Sequence, residues 1–391
     1  MNDFVFQNTT KIYFGKDQLQ HLGEEVAKIG QKVLMVYGGG SIKRTGLYDR
    51  VQDVLKKAGL TVFELGGVEP NPHHTTVNKG AAICKKEDVD VVLAVGGGST
   101  IDASKAIAAA AKYAGDDVWD LVTGKAPVTA ALPIMSVLTL AATGSEMDCG
   151  AVISNTDTEE KLGLVDPILQ PAVSFLDPTN TFTVPAYQTA SGSVDIMSHI
   201  FDTVYFSKQD RMDMLYRIQD ELLQTVVKYA PVAIKEPDNY EARANLMWTS
   251  TWALNGFTFG GVAQATPVHM MEHELSAVYD ITHGHGLAIL TPRWLTYVLN
   301  EETAPQIKRL GTNVFGLSKD ASDMEGAKAA IDALSHFFFD TLGLQSHLRD
   351  LGIDESHFEE MAKKACGPTG KLEGFTTLTP ADVVKIYQLS L

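Results

Sequence analysis

Val89-Asp-Val-Val-Leu-Ala-Val95-Gly96-Gly97-Gly98-Ser99-Thr100-Ile101-Asp102 decides the fold class of this 391-residue chain. A β-branched run of strand length ends in three glycines, and Ala103 to Tyr113 continues with helical character. The same order stands upstream, where Lys32 to Tyr37 reads as a buried strand and Tyr37-Gly38-Gly39-Gly40-Ser41 as its turn. Around these two stretches, Leu22 to Ile29, Leu47 to Ala58 and Thr75 to Glu87 read as helices and Thr61 to Leu65 as another strand. Phe4-Val-Phe6 and Lys11-Ile-Tyr-Phe14 read as edge strands. Strands alternating with helices of this length predict a parallel α/β sheet, whose ligands sit beyond the carboxyl ends of the strands.

Both glycine turns stand at such ends. Glycines after a buried strand let the backbone approach a phosphate, and the following helix N-terminus offers unpaired N–H groups and a positive dipole end. The plainer reading of the second turn is a tight turn with a capping box from Ser99 to Asp102. Two such turns on one sheet favour a dinucleotide site, although neither matches G-x-G-x-x-G. Selection of NAD usually places a carboxylate at a strand end against the ribose 2′-hydroxyl. Here Gly38, Gly39 and Gly40 occupy that end, no acidic residue follows before Asp49, and Ser41, Lys43 and Arg44 stand close by. That pattern suits a 2′-phosphate, so NADP(H) is expected over NAD(H). If Lys43 and Arg44 are only solvated surface cations, that preference loses its positive charge.

Farther along, Pro133 to Leu138 is a strand entering the polar turn Thr139 to Glu146, and Thr143 with Glu146 has the spacing of a helix start. A charged hairpin-like segment, Asn155 to Lys161, precedes the strand Ala172 to Leu176. After Val184-Pro185 the texture changes. Arg211 to Tyr229, Tyr240 to Leu254, Met324 to Leu342 and Ser356 to Ala365 carry helical periodicity, and Thr379-Pro380 is an N-cap with a first-turn proline. A boundary near 184 is therefore expected, with an α/β domain at 1–184 and an all-helical domain at 185–391.

Bulk properties narrow the function classes. Lys plus Arg total 32 against 48 Asp plus Glu, a net charge of −16 that repels a polyanion such as nucleic acid. Three cysteines without C-x-x-C spacing argue against a disulfide framework or a thiolate metal site. No apolar run reaches membrane-spanning length and the N-terminus lacks a signal-peptide layout, so a cytoplasmic protein is expected.

The helical half carries its own chemistry. Four of the eleven histidines, His269, His273, His283 and His285, fall within seventeen positions, where even scatter would put fewer than one. On a helix, His269 and His273 share one face, the spacing by which helices hold a metal. Upstream, Asp195 and His199 share a face by the same i, i+4 geometry. A partly polar helix with incidental histidines would explain either pair alone. Together Asp195, His199, His269, His273 and His283 form a nitrogen-rich set with one carboxylate, which suits zinc, iron or nickel rather than calcium or magnesium. Five candidates exceed what a catalytic site with an open position needs.

Gly-Gly-Gly-Ser-x-x-Asp at 96–102, Thr-Gly-Ser-Glu at 143–146, Asp-x-x-x-His at 195–199 and His-x-x-x-His-x9-His at 269–283 together resemble the iron-containing (group III) alcohol dehydrogenase family. Tyr-Gly-Gly-Gly-Ser at 37–41, Glu-Pro-Asn-Pro at 69–72 and Tyr-Glu-Ala-Arg-Ala-Asn-Leu-Met-Trp at 240–248 look like its butanol dehydrogenase and NADPH-dependent aldehyde reductase branch. The resemblance spans the whole chain. It implies a dehydroquinate synthase-like fold, a Rossmann-like nucleotide-binding domain followed by a helical one, with one divalent metal, Fe(II) or Zn(II), in a cleft between them. It implies Asp195, His199, His269 and His283 as ligands, leaving His273 on the substrate side for proton relay or positioning. Gly96, Gly97, Gly98 and Ser99 would hold the diphosphate. Asn71, Asp102, Thr139 and Lys161 would lie along the nicotinamide and its ribose, with Asp102 also a catalytic candidate beside His273. Family members commonly dimerise through N-terminal strands, making Phe4 to Phe6 and Ile12 to Phe14 candidates for a homodimer contact. One stretch departs from the branch. Several relatives carry an acidic residue and Trp just before the first His of the pair, whereas this chain reads Gly260 to Val268, so the shape of the substrate pocket does not carry over.

The reaction implied is hydride transfer between NADP(H) and a short- to medium-chain aldehyde or primary alcohol, of butanal and butanol type. Polyol dehydrogenases share the fold. So do non-redox lyases such as dehydroquinate synthase, but the Lys/Arg cluster that a phosphate-bearing substrate would need is absent from the sequence between 190 and 290. A non-catalytic metal- or nucleotide-binding protein is the rival of a different class. His285, two past a proposed ligand, reads as structural.

Overall fold

A computed structural model of the chain describes residues 2–207, 212–262 and 265–391. Arg211, the expected start of a helix, and Ala263 and Gln264, in the stretch before His269, lie outside the described residues. Two compact units divide the chain. One holds Gln7–Val184 with Asp238–Met247, the other Met1–Phe6, Pro185–Pro237 and Trp248–Leu391. Two short segments thus depart from a single cut near 184.

The first unit is built on a six-stranded sheet in which every pairing is parallel. Its strands are β1 (Lys11–Phe14), β2 (Lys32–Tyr37), β3 (Thr61–Leu65), β4 (Val91–Gly96), β5 (Ile134–Leu138) and β8 (Val173–Leu176), in the order β1-β8-β5-β4-β2-β3. Between β5 and β8 the chain makes a separate antiparallel hairpin of β6 (Gly150–Asn155) and β7 (Glu160–Val165), where the charged segment was expected. The helices are α1 (Leu22–Ala27), α2 (Ser41–Arg44), α3 (Leu47–Lys57), α4 (His74–Glu87), α5 (Gly98–Lys112) and α6 (Trp119–Val122).

Why the inner strands read as unbroken apolar runs is visible in the packing. Leu34, Val36 and Val92 join a core with Val77, Ala81 and Cys84 of α4 and Ala103, Ala106 and Ile107 of α5. Val33, Met35, Val91 and Leu93 join another with Leu22 and Val26 of α1 and Leu47, Val51 and Leu55 of α3. Successive residues face opposite sides and both sides are covered, so neither face can be polar. Strand order reverses between β2 and β4, which pair side by side with Tyr37 opposite Val95. The carboxyl ends of those two strands carry the two triple glycines, the crevice at which such sheets take ligands.

Two local expectations fail. Phe4 to Phe6 form no strand; the edge beside β8 is taken by β1, and Val5 is 94% exposed. Phe6 instead sets its ring edge-on against Phe257, 5.7 Å between centroids. Nor does Thr143 to Glu146 start a helix. Gly144 takes a positive φ and the Ser145 N–H donates to Thr143 Oγ1 at 3.1 Å, a tight hydroxyl-closed turn in place of a cap.

Helices make up the second unit: α7 (Ala186–Ile200), α8 (Asp213–Lys235), α9 (Tyr240–Ala253, divided between the units after Met247), α10 (Pro267–Tyr279), α11 (His283–Val298), α12 (Ala304–Asn313), α13 (Asp323–His336), α14 (Phe358–Ala365) and α15 (Pro380–Leu389). Thr379 and Asp382 form a reciprocal capping box at α15, with Pro380 in the first turn as its sequence predicts. The three cysteines are free, and burial raises all three thiols, Cys84 to about 12. Among the described residues no helix is long and apolar enough to cross a membrane.

Candidate functional site

Asp195 and His199 project from the middle of α7, a helix buried from Thr189 to Ile200. His269 and His273 lie on α10. Asp280 ends that helix in the left-handed conformation, and after Ile281 and Thr282 the chain starts α11 at His283. Gly284 lets the first turn of α11 lie directly against α7, since a Cβ there would stand 2.0 Å from the Ser191 carbonyl oxygen.

Three helices thereby converge on one oxygen. The Nε2 atoms of His199, His283 and His269 lie 3.6, 3.6 and 4.0 Å from Asp195 Oδ1. Ligands bound at about 2.0–2.2 Å in a tetrahedron are separated by roughly 3.3–3.6 Å, so His199 and His283 stand at the outer end of that range from Asp195 Oδ1 and His269 just beyond it. Asp195 Oδ1 and His269 Nε2 are buried with no hydrogen-bond partner among the described residues. Buried polar atoms are ordinarily satisfied, and a divalent cation would satisfy both. The donor set therefore fits the ion its chemistry calls for.

Further carboxylates sit behind the imidazoles. Immediately after α7 the chain makes a wider, π-helical turn, Phe201–Tyr205, closed by the Phe206 N–H on the Phe201 carbonyl at 3.1 Å. It carries Asp202, which accepts from the Val268 N–H at 3.1 Å and the His269 N–H at 2.8 Å, and meets His269 Nδ1 at 2.8 Å. One carboxylate thus caps α10 and fixes the ring so that Nε2 faces Asp195. Burial alone would lower the His269 pKa, but the Asp202 hydrogen bond and the carboxylates around it outweigh burial and raise it. On the other side, Glu272 Oε2 contacts His283 Nδ1. The sequence motifs assign Asp202 and Glu272 no role, although Asp202 stands three positions past His199 and Glu272 lies between His269 and His273. The available signal was the rule that a ligating histidine gives its other nitrogen to a carboxylate.

His273 lies beside this set, its ring centroid 5.6 Å from that of His283 and 6.4 Å from that of His269. His285 is occupied at both nitrogens, with Tyr187 Oη at 3.0 Å from Nδ1 and the Gln345 carbonyl at 2.9 Å from Nε2. Burial lowers its pKa, so a neutral ring that accepts from Tyr187 and donates to Gln345 bridges the two, the structural part expected of it.

In the α/β unit the glycine turn at Gly96 to Gly98 admits close packing of neighbouring side chains. α5 starts at Gly98 with no side-chain cap, and the Ser99 hydroxyl donates to the Pro70 carbonyl, so the plain capping-box reading does not hold. A Cβ at Gly98 would stand 2.4 Å from Thr143 Oγ1 and Cγ2, and one at Gly96 2.4 Å from Thr100 Oγ1. Gly97 is looser, its nearest neighbour being Leu140 at 3.2 Å. Ser99 also brings the loop of Asn71 to this turn, while the Ser154 N–H donates to the Pro72 carbonyl at 2.8 Å and ties the same loop to the β6–β7 hairpin. Asn71 is buried in that loop and Lys161 is buried on β7 opposite Ser154. The Thr139 N–H donates to the Gly96 carbonyl at 3.0 Å.

Asp102 accepts from the Ser145 hydroxyl at 2.6 Å and the Val152 N–H at 2.9 Å, holding the Thr143 turn and β6 against α5. Desolvation raises its pKa to about 6 against the opposing charge of Lys105. At the first turn, nothing stands within 4 Å of a Cβ at Gly39 or Gly40, and the Cβ of a residue at 38 would be 3.4 Å from the Val68 carbonyl. Ser41 opens α2 directly after Gly40. Lys43 is not a bare cation, since its ammonium lies 4.9 and 4.7 Å from the ring centroids of Tyr37 and Tyr48, and contact with Tyr37 raises its pKa.

Comparison with known proteins follows the same division. The family model for iron-containing alcohol dehydrogenase matches residues 9–178, and the C-terminal model of the Fe-containing alcohol dehydrogenase family matches 189–391. NADH-dependent butanol dehydrogenase B of Clostridium acetobutylicum is 50% identical over 389 residues, covering 100% of this chain and 99% of that protein. The NADPH-dependent aldehyde reductase YqhD of Escherichia coli is 39% identical, covering 93% of each. Among solved structures, NADH-dependent butanol dehydrogenase A from Thermotoga maritima superposes with a TM-score of 0.93 at 41% identity, over 100% of this chain and 99% of that one. The converging Asp and His side chains, the glycine turns and these full-length matches lead to one conclusion: this chain belongs to the iron-containing alcohol dehydrogenase family.

Proposed function

We propose that this protein is a metal-dependent alcohol dehydrogenase and aldehyde reductase, working on short- to medium-chain aldehydes and primary alcohols with NADP(H) as the preferred carrier. The observation that carries it is the convergence of three imidazole Nε2 atoms on Asp195 Oδ1 at 3.6–4.0 Å. Asp195, His199, His269 and His283 hold one divalent iron or zinc ion in this reading. When bound, the ion supplies Lewis acidity toward a carbonyl oxygen and the nicotinamide supplies hydride.

The protein's part is to hold and orient. Asp202 keeps a proton on His269 Nδ1, so Nε2 presents a lone pair. Gly96, Gly97, Gly98 and Ser99 would hold the diphosphate through backbone N–H groups at the uncapped start of α5. His273 holds the proton exchanged with the product oxygen. Reduction of butanal by NADPH should disappear in chelator-stripped protein and return with added Fe(II) or Zn(II). Full rates in metal-free protein, or no oxidation of NADPH with any straight-chain C2 to C6 aldehyde, would sink the reading.

The preference for NADP(H) rests on the open turn at Gly38, Gly39 and Gly40, where backbone N–H groups and the Ser41 hydroxyl would meet a 2′-phosphate, while the nearby Glu64 carboxylate is taken up by the Tyr37 and Tyr48 hydroxyls. With Lys43 over two tyrosines, the turn itself carries the discrimination. The named relatives divide between NADH and NADPH, so kcat/KM for the two carriers is the deciding measurement. Gly39→Asp should lower kcat/KM for NADPH by about tenfold or more through charge repulsion while sparing NADH. Wild-type enzyme faster with NADH would reverse the assignment.

A further inference from the structure

We propose that Glu272 is a positioning residue that holds the His283 ring toward Asp195 and thereby sets how tightly the four-residue site binds its ion. This rests on the ligand set proposed above. His283 needs such a partner more than the other ligands do. Its side chain is 23% exposed where those of His199 and His269 are 8%, and it is the first residue of its helix rather than a mid-helix position. An imidazole placed there is free to rotate unless its second nitrogen is held.

Glu272 holds it from the interior of α10. Its side chain has no exposure. One oxygen, Oε2, meets His283 Nδ1, and the other accepts from the Ser276 hydroxyl at 2.5 Å, one turn along the same helix. A buried carboxylate is costly unless its lone pairs are met, and these contacts meet one on each oxygen. The neighbouring backbone is shaped to admit it: a Cβ at Gly286 would stand 2.8 Å from Glu272 Cγ and 3.0 Å from Oε1. Gly286 follows His283 by three positions, so α11 presents the ligand and leaves room for its orienter in the same turn. The arrangement differs from that at His269, where Asp202 also caps α10 and its removal would confound helix loss with ring release.

The test measures metal affinity directly, by competition of purified full-length protein with a chromophoric chelator for Zn(II), together with the d–d absorption of the Co(II)-substituted protein. NADPH binding, which uses the other unit, and circular dichroism report folding. Glu272→Gln is expected to weaken Zn(II) binding by about 10- to 100-fold and to change the Co(II) spectrum, with NADPH affinity unchanged. Gly286→Ala should act in the same direction with the carboxylate still present, and Ser276→Ala, which removes only the second anchor, should cost a few-fold and serves if Glu272→Gln does not fold. Wild-type affinity and spectrum in all three variants, alongside a weakened His283→Ala, would overturn the role of Glu272 and leave the ligand set standing. Undiminished affinity in His283→Ala would overturn the ligand set and this proposal with it.

Discussion

Replacing His269 with alanine is expected to lower kcat/KM for butanal by roughly a thousandfold or more, because a Lewis acid contributes several kcal/mol to such a transition state. The same change should empty the site of metal while leaving NADPH affinity within about twofold, since the glycine turns proposed to hold that carrier belong to the other unit. Asp195 Oδ1 faces all three Nε2 atoms, so the variant leaves a buried carboxylate with two imidazoles in place of three. Steady-state kinetics, metal analysis of the purified variant and fluorescence titration with NADPH check the three statements separately. A variant that keeps its metal and its rate would remove His269 from the ligand set.

Gly284→Ala should be nearly as damaging, although it deletes nothing. The added methyl would stand 2.0 Å from the Ser191 carbonyl oxygen, and backbone on both sides cannot step aside as a flexible side chain does. The first turn of α11 must therefore move away from α7, taking His283 from Asp195. Overpacking of this kind costs about 1–3 kcal/mol or more, which lowers the melting temperature by about 2–4 °C per kcal/mol where one unit of some 150–250 residues melts by itself. Metal affinity should fall together with stability. Gly39→Ala is the matched control, because nothing stands within 4 Å of a Cβ at Gly39. Equal melting temperatures for the two variants would show that α11 does not depend on this approach.

Much of the α/β unit was legible because its signals are local. Val33 to Val36 and Val91 to Val95 read as buried strands because every residue faces one covered side or the other, and the triple glycines mark the strand ends. Phe4 to Phe6 misled for the same reason that such reading works: three apolar residues look like a strand whether or not a strand edge awaits them. Thr143 and Glu146 have capping spacing, yet only the turn that closes on Ser145 shows that no helix follows.

The chemistry available is legible in residue types alone: one carboxylate and a crowd of histidines at helical spacing, with no sulfur ligand pattern, and glycines where strands meet helices. Residue types and i, i+4 periodicity carry that information. How the donors are shared follows from the packing of the helices. That packing set Asp195 of α7 against His269 and His283 of two other helices, put Asp202 and Glu272 behind two of the rings, and occupied His285 at both nitrogens. The reason is physical. A helix period says which side chains share a face, whereas the distance between faces of different helices depends on packing, here on the absence of a single methyl group at Gly284.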